Sequence, residues 1–257
     1  SQSHCLNYLY ETYEPVTNDF TKNGVVLLYT RPGPSMMMIS GKPISGPADL
    51  KGQKIRAHGK VFSAGMANLG AIPVLVEAFD IEQQMRAGNL QASSETGGTG
   101  AASLAANIGG TTVLINPGIG PYGAGHQIMG KDKWDSLPAD IQQIFIDNRY
   151  RQTNIAIQNV AADYEIMMQD VKESGIGYME WTPAQLQEMK DLMDIETEIN
   201  KLLAEVEADG YPAAEALAKM RECAAIIDKV NPIPANGASD VDMAKVIGLS
   251  QGEPYEN

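Results

Sequence analysis

Arg56 stands near the end of the short run KIRA at 54–57, directly after DLKGQ. A guanidinium offers a planar fork of donors that grips a carboxylate with two parallel hydrogen bonds, which a lysine ammonium cannot do. Its place at a strand end matters, because ligands of open α/β sheets collect at the carboxyl ends of the strands. The competing reading is a surface arginine paired with one of the many acids. Ser93, Ser94, Glu95 and Thr96 read as a polar loop after GNLQA, with hydroxyls and one carboxylate where the chain leaves another short strand. Met36, Met37 and Met38 offer soft apolar lining for a pocket, although methionines in a strand are more often core.

Other chemistry finds less support. Gly118, Gly120 and Gly123 form a GxGxxG run after TTVLIN. A dinucleotide site requires a helix to open at that point so that its amides receive the pyrophosphate. Here Pro121 and then GHQIMG read as loop and strand. A nucleotide-dependent oxidoreductase using this run stands as an alternative reading, beside a non-catalytic interaction protein. His4, His58 and His126 lie far apart, with neither HExxH nor a Cys/His cluster, and GxSxG is absent. Zinc catalysis and the commonest serine-hydrolase arrangement are thereby disfavoured. Glu77, Asp80 and Glu82 sit at a helix start, where carboxylates favour the helix dipole and need no catalytic role. No general acid/base pair stands out, and the chain reads as a non-enzyme.

Composition narrows the class further. The 257 residues carry 19 basic and 32 acidic side chains, a net charge of −13. A nucleic-acid binder needs a basic stripe that displaces counterions, so nucleic acid is not an expected partner. At 44% hydrophobic and 20% charged residues the chain is globular. Its apolar runs are short against the roughly 20 residues of a spanning helix. The opening SQSHCLNYLY lacks the basic start, apolar core and cleavage site of a signal peptide, which fits a cytosolic protein or one supplied without its leader. Cys5 and Cys223 fit two free thiols as well as one long-range disulfide.

The elements that must hold these residues read as α/β. Leu6, Leu9, Tyr10, Tyr13, Val16 and Phe20 recur at helical spacing, with Pro15 predicting a kink or split and Gly24 a C-terminal stop. The runs VVLLYT (25–30), MMMIS (36–40), KIRA (54–57), IPVLVE (72–77) and TTVLIN (111–116) predict strands of a largely buried sheet, separated by helical or Gly/Pro-rich stretches. VFSAGMANLG predicts a short helix, and Asp80 is expected to cap another over IEQQMRA that Gly88 ends. From Pro138 to Gly175 one helical period is sustained, on the order of 50 Å, long enough to touch two lobes. Thr182, Pro183 and Gln185 predict a capping box opening one helix through Leu186, Met189, Leu192, Leu202, Leu203 and Val206, before Gly210 and Pro212 end it and start another. Beyond about Val230, NPIPANGASD is loop chemistry, and the rest reads as a tail.

Four fragments in order carry a resemblance: PADLKGQKIR (47–56), LGAIP (69–73), DI at 80–81 with MRAGNL (85–90), and WDSLPADIQ (134–142). Together they resemble the DctP-type substrate-binding proteins of TRAP transporters, over about residues 45–225. The resemblance implies a periplasmic receptor with a two-lobed periplasmic binding protein-like fold, an interlobe cleft and a long bridging helix. The lobes would be residues 1–31 with 122–161 and residues 32–121 with 162–225, followed by a tail at 226–257. Such a receptor captures a small organic acid and delivers it to a permease of one small and one large integral membrane subunit. The arginine that pairs with the ligand carboxylate in that family maps onto Arg56. Ser94, Glu95 and Thr96 are expected to close from the other side, with Met36, Phe79 and Ile119 completing the ligand set.

Pro117-Gly118 and the run EAFDI (77–81) look closer to the branch that binds 2-oxo or 2-hydroxy monocarboxylates. The chain departs from that branch at Gln91, where the family has Asp, at Ser94-Glu95, where it has Glu-Trp, and at Ile119, where it has an aromatic. Glu95 is left as the carboxylate that a calcium bridge would use, and calcium needs several such oxygens. Family members also carry a further βα portion before the first helix read here. The branch exchanges a C-terminal helix between subunits, so the stripe Leu217, Met220, Ile226 and Ile227 raises the expectation of a homodimer.

Overall fold

The computed structural model describes residues 2–109, 112–118, 123–230 and 241–250. Its strands are β1 (Val25–Pro32), β2 (Met36–Ser40), β3 (Lys54–Arg56), β4 (Ile72–Val74), β5 (Ala92–Thr96), β6 (Val113–Asn116), β7 (Ala124–Gly130) and β8 (Gly177–Glu180). The helices are α1 (Gln2–Thr12), α2 (Glu14–Lys22), α3 (Lys60–Asn68), α4 (Ile81–Arg86), α5 (Thr99–Ile108), α6 (Lys131–Asp135), α7 (Ala139–Ser174), α8 (Pro183–Met193), α9 (Ile195–Ala208), α10 (Ala213–Val230) and α11 (Met243–Ser250). Among the described residues, no helix is long and apolar enough to cross a membrane. The fold class is α/β. Two compact units divide the chain, one of Ser1–Gly33, Gly123–Ala161 and Val206–Asn257, the other of Pro34–Tyr122 and Ala162–Glu205. α7, at 36 residues, begins in the first and ends in the second.

The first unit is built around the antiparallel pair β1–β7, which runs from Val25 opposite Gly130 to Pro32 opposite Ala124 and shifts register by one residue between Leu27 and Tyr29. The expected split at Pro15 falls after Thr12: Tyr13 is extended, and Pro15 sits in the first turn of α2, where its missing N–H costs no helical bond. Arg149 of α7 is buried and clamps three elements. Its Nε and Nη2 donate to the carbonyls of Leu28 and Leu27, both at 2.9 Å, and its Nη1 to Glu11 at 2.6 Å. The same Glu11 accepts from the Tyr150 hydroxyl at 2.6 Å, and burial together with that carboxylate pushes the phenol's pKa upward.

Residues 206–225, expected with the second lobe, belong to this first unit. A disulfide between Cys5 of α1 and Cys223 of α10 explains why, since it anchors the later helix to the first. The expected tail is also corrected. Residues 226–230 continue α10, with Ile227 buried, and Val241, Met243 and Val246 at and within α11 pack on that same cluster. Residues 231–240 and 251–257 lie outside the described residues. Of the stripe on which pairing between copies rested, Ile227 is buried and Met220 and Ile226 pack within this core.

The second unit holds a six-stranded sheet in the order β4-β3-β5-β2-β6-β8. β2 runs antiparallel to both its neighbours, while β3 pairs in parallel with β4 and β5, and β6 with β8. Five strands therefore end on one edge. Alternation sorts the side chains: Met36, Met38, Ile55, Ala92, Val113 and Ile115 pack on one face, and Met37, Ile39 and Leu114 on the other. Met167 and Val171 of α7 cover the second face.

Two local expectations change. Asp80 stands before α4 but makes no side-chain cap, because its own backbone is already helical, at the end of a 3-10 turn. The helix expected from Leu186 through Val206 breaks at Asp194, whose left-handed φ of 46° separates α8 from α9. On a continuous helix Met193 and Ile195 would point about 200° apart. The break brings both onto the same core cluster, where an added Cβ at Gly65 would meet each of them. The capping box opening α8 is present, with Thr182 and Gln185 satisfying each other's backbone amides.

α5 starts immediately beyond β5, and Asp163 of α7 reaches its first turn, accepting from the Thr99 hydroxyl at 3.0 Å. Gly98 has φ of 112° there, and an added Cβ would overlap the Asp163 carboxylate. Gly98→Ala should therefore lower stability by more than about 1 kcal/mol, read from the denaturant midpoint. Combining it with Asp163→Ala should cost less than the sum of the two single changes, since they share one contact. An unchanged midpoint in Gly98→Ala would refute that close approach.

Candidate functional site

Register brings the site together. Arg56 lies beside Ser93 across the parallel β3–β5 pair, and Glu95 is two residues further along β5 on the same face. Arg56, Ser93 and Glu95 thus share one face at the carboxyl edge of the sheet. Arg56 is only 8% exposed. Its Nε donates to the Val76 carbonyl beyond β4 at 2.7 Å, and its Nη1 to Glu95 Oε1 at 2.8 Å. The Ser93 hydroxyl donates to that same Oε1.

His58, two residues past Arg56, crowds the same guanidinium. Its Nε2 lies 2.6 Å from the Ser94 carbonyl and 2.8 Å from Arg56 Nη1. One ring nitrogen cannot both donate to a carbonyl and accept from a guanidinium. With Nε2 protonated, the Ser94 bond is made and the Arg56 contact is steric only. The sequence raises His58 only as a metal ligand; its place just past a strand end is the one signal of its actual position.

The expected loop at 93–96 is strand. Ser93 and Ser94 are fully buried because neighbours on both sides pair their backbone and both hydroxyls are satisfied internally, that of Ser94 by the Arg56 carbonyl at 2.5 Å. Glu95 therefore stands beside Arg56 in the same sheet, not across from it. Ser94, Thr96 and Met36 lie on the opposite face, since Met38 faces Ser94 and Met36 faces Thr96 in the β2–β5 register. Met36 belongs to the core cluster of that face. Phe79, at 98% exposed, sits in the turn after β4. Ile119 lies outside the described residues, as does the middle of the glycine run. The element after that run is β7, not a helix, so the geometry a dinucleotide requires is not formed.

The sheet order also places a group that the sequence offered no means of finding. At the ends of β6 and β8, paired at Asn116 and Glu180, the Tyr178 hydroxyl donates to Glu180 at 2.8 Å and lies 3.1 Å from that of Tyr164. Burial, with Tyr164 and Glu180 as hydrogen-bond partners, pushes the Tyr178 phenol upward. The group lies on the same sheet edge as Arg56, brought there by long-range strand pairing.

Calcium at Glu95 finds no fit. One carboxylate oxygen is already taken by Arg56 and Ser93, and among the described residues no group of three or more His, Cys, Asp or Glu is placed to hold a metal ion. Calcium requires about six to eight oxygens, so a lone carboxylate bound to a guanidinium is a poor start.

Comparison with known proteins gives a consistent result. No curated protein matches the chain. Among solved structures, a TRAP periplasmic solute-binding protein from Desulfovibrio salexigens superposes with a TM-score of 0.68 at 21% identity, over 86% of this chain and 66% of that one. The Bordetella pertussis receptor DctP7, which binds pyroglutamic acid, matches with a TM-score of 0.66 at 21% identity, over 86% and 71%. The ectoine-binding protein of the Halomonas elongata TRAP transporter gives 0.68 at 16%, over 85% and 71%. These likenesses show the fold, and the chain spans about two thirds of the length of the Desulfovibrio protein. The model of the DctP family, bacterial extracellular solute-binding protein family 7, matches residues 8–200, most of the chain, which therefore belongs to that family.

Proposed function

We propose that this protein is the extracytoplasmic receptor of a TRAP-type transporter, capturing a small organic acid and handing it to small and large integral membrane subunits. The observation that carries this reading is the buried Arg56 guanidinium at the carboxyl edge of the parallel strands, held in place by Val76 and Glu95. Family membership supports it, as do relatives whose ligands are pyroglutamic acid and ectoine. Residence is in the periplasm, where a disulfide such as Cys5–Cys223 persists. The role is binding without turnover: the Arg56 cluster offers charge and hydrogen bonds only.

A thermal-shift screen of small organic acids, followed by calorimetry, tests this. Saturable binding of one acid, recovered unchanged after prolonged incubation, is the expected result. Protection by a nucleotide and by no acid, or chemical conversion of the bound acid, would contradict it.

A further inference from the structure

Arg56 and Glu95 each leave half of the side chain uncommitted. On Arg56, Nε is taken by Val76 and Nη1 by Glu95, while Nη2 has no hydrogen-bond partner among the described residues. On Glu95, Oε1 accepts from both Arg56 and Ser93, while Oε2 has no partner among the described residues. A strong donor and a strong acceptor therefore remain on neighbouring side chains at one end of the sheet, and their charges cancel.

A plain carboxylate reaching Nη2 must also approach the Glu95 carboxylate, and like charges at close range repel. An acid that carries an N–H beside its carboxyl group avoids that conflict, since its oxygen takes Nη2 and its N–H serves Oε2. We propose that the Arg56–Glu95 pair selects carboxylic acids bearing an N–H donor on the atom next to the carboxyl-bearing carbon, with Glu95 as the specificity-determining residue. This rests on the reading of Arg56 as the carboxylate contact and names the substrate class of that same site. A site built to pair a donor rejects the analogue lacking it, because its own polar group is left unpaired.

Three five-membered-ring acids separate the outcomes: proline carries an ammonium at the critical position, pyroglutamate an amide N–H beside an added ring carbonyl, and tetrahydrofuran-2-carboxylate, matched in ring shape to proline, an ether oxygen. Calorimetry on the full chain should find proline or pyroglutamate bound at least about tenfold more tightly than the ether acid. Glu95→Gln should narrow that gap to within about threefold, chiefly by improving the ether acid, which no longer meets a like charge. Its unfolding midpoint confirms that the variant is folded, and the wild-type comparison stands by itself if it is not. Equal binding of the three acids, or preference for the ether, would overturn the proposal while leaving Arg56 as the carboxylate contact. A gap that persists in Glu95→Gln would remove Glu95 from the role. Binding of none of the three would overturn the proposal, and a wider screen that also finds no acid would remove the underlying reading as well.

Discussion

Arg56→Ala should weaken binding of a small carboxylate by about 2 to 5 kcal/mol, roughly thirtyfold to several thousandfold. The reason is burial. A guanidinium that is 8% exposed has little water around it, so a ligand oxygen that loses it gains no solvent bond in exchange. Arg56→Lys should recover only part of the loss, because an ammonium keeps the charge but cannot hold Val76, Glu95 and ligand with separate edges of one plane. Calorimetry with an acid found in the screen, on wild type and both variants, checks this. The unfolding midpoint must be read alongside, since Arg56 also pins the segment after β4 and its removal leaves Glu95 without its cation. Unchanged affinity in a folded Arg56→Ala would mean that the Arg56–Glu95 pair is structural and that the acid binds elsewhere.

That possibility is the competing reading of the sequence, and the structure shows why sequence alone could not settle it. Arg56 does pair with an acid, as a surface arginine would, but the pair is buried at a strand end, where ligands of this architecture collect. Spacing placed Arg56 on a strand and could not place β5 beside it. The neighbouring segment reads as loop because Ser-Ser-Glu offers no β-branched or aromatic side chain, and the register that buries it comes from β2 and β3.

Elsewhere the legible features were those that act within a few residues. Pro15, the Thr182-Pro183-Gln185 start and Gly175 punctuate helices through local backbone chemistry, and each appears where the sequence put it. The break at Asp194 was hidden because an aspartate carries no obligation to turn left-handed; the core that Met193 and Ile195 both enter imposes it. The assignment of α10 to the first unit was hidden for a similar reason, since a disulfide between Cys5 and Cys223, 218 residues apart, leaves no local trace.

That disulfide carries the other large expected effect. Replacing both cysteines by serine should destabilise the first unit by about 2 to 5 kcal/mol, the usual cost of losing a native bridge, or on the order of 4 to 20 °C in its melting temperature. The loop it closes spans 218 residues, so much of the effect belongs to the unfolded chain, which becomes free to explore conformations that the bridge had excluded. The folded side contributes too, because Cys5 and Cys223 sit in one buried cluster with Ile227, Val241, Met243 and Val246, and a serine hydroxyl there has no apolar role to fill. Calorimetry should show the transition of the first unit moving down while that of the second, which holds Arg56 and none of this cluster, stays near its original temperature. Thiol titration of the denatured wild-type protein without reductant should find no free thiol. Two titratable thiols together with an unchanged thermogram in the double variant would mean that α10 is held by packing alone, and the oxidising compartment proposed for the protein would lose its structural support.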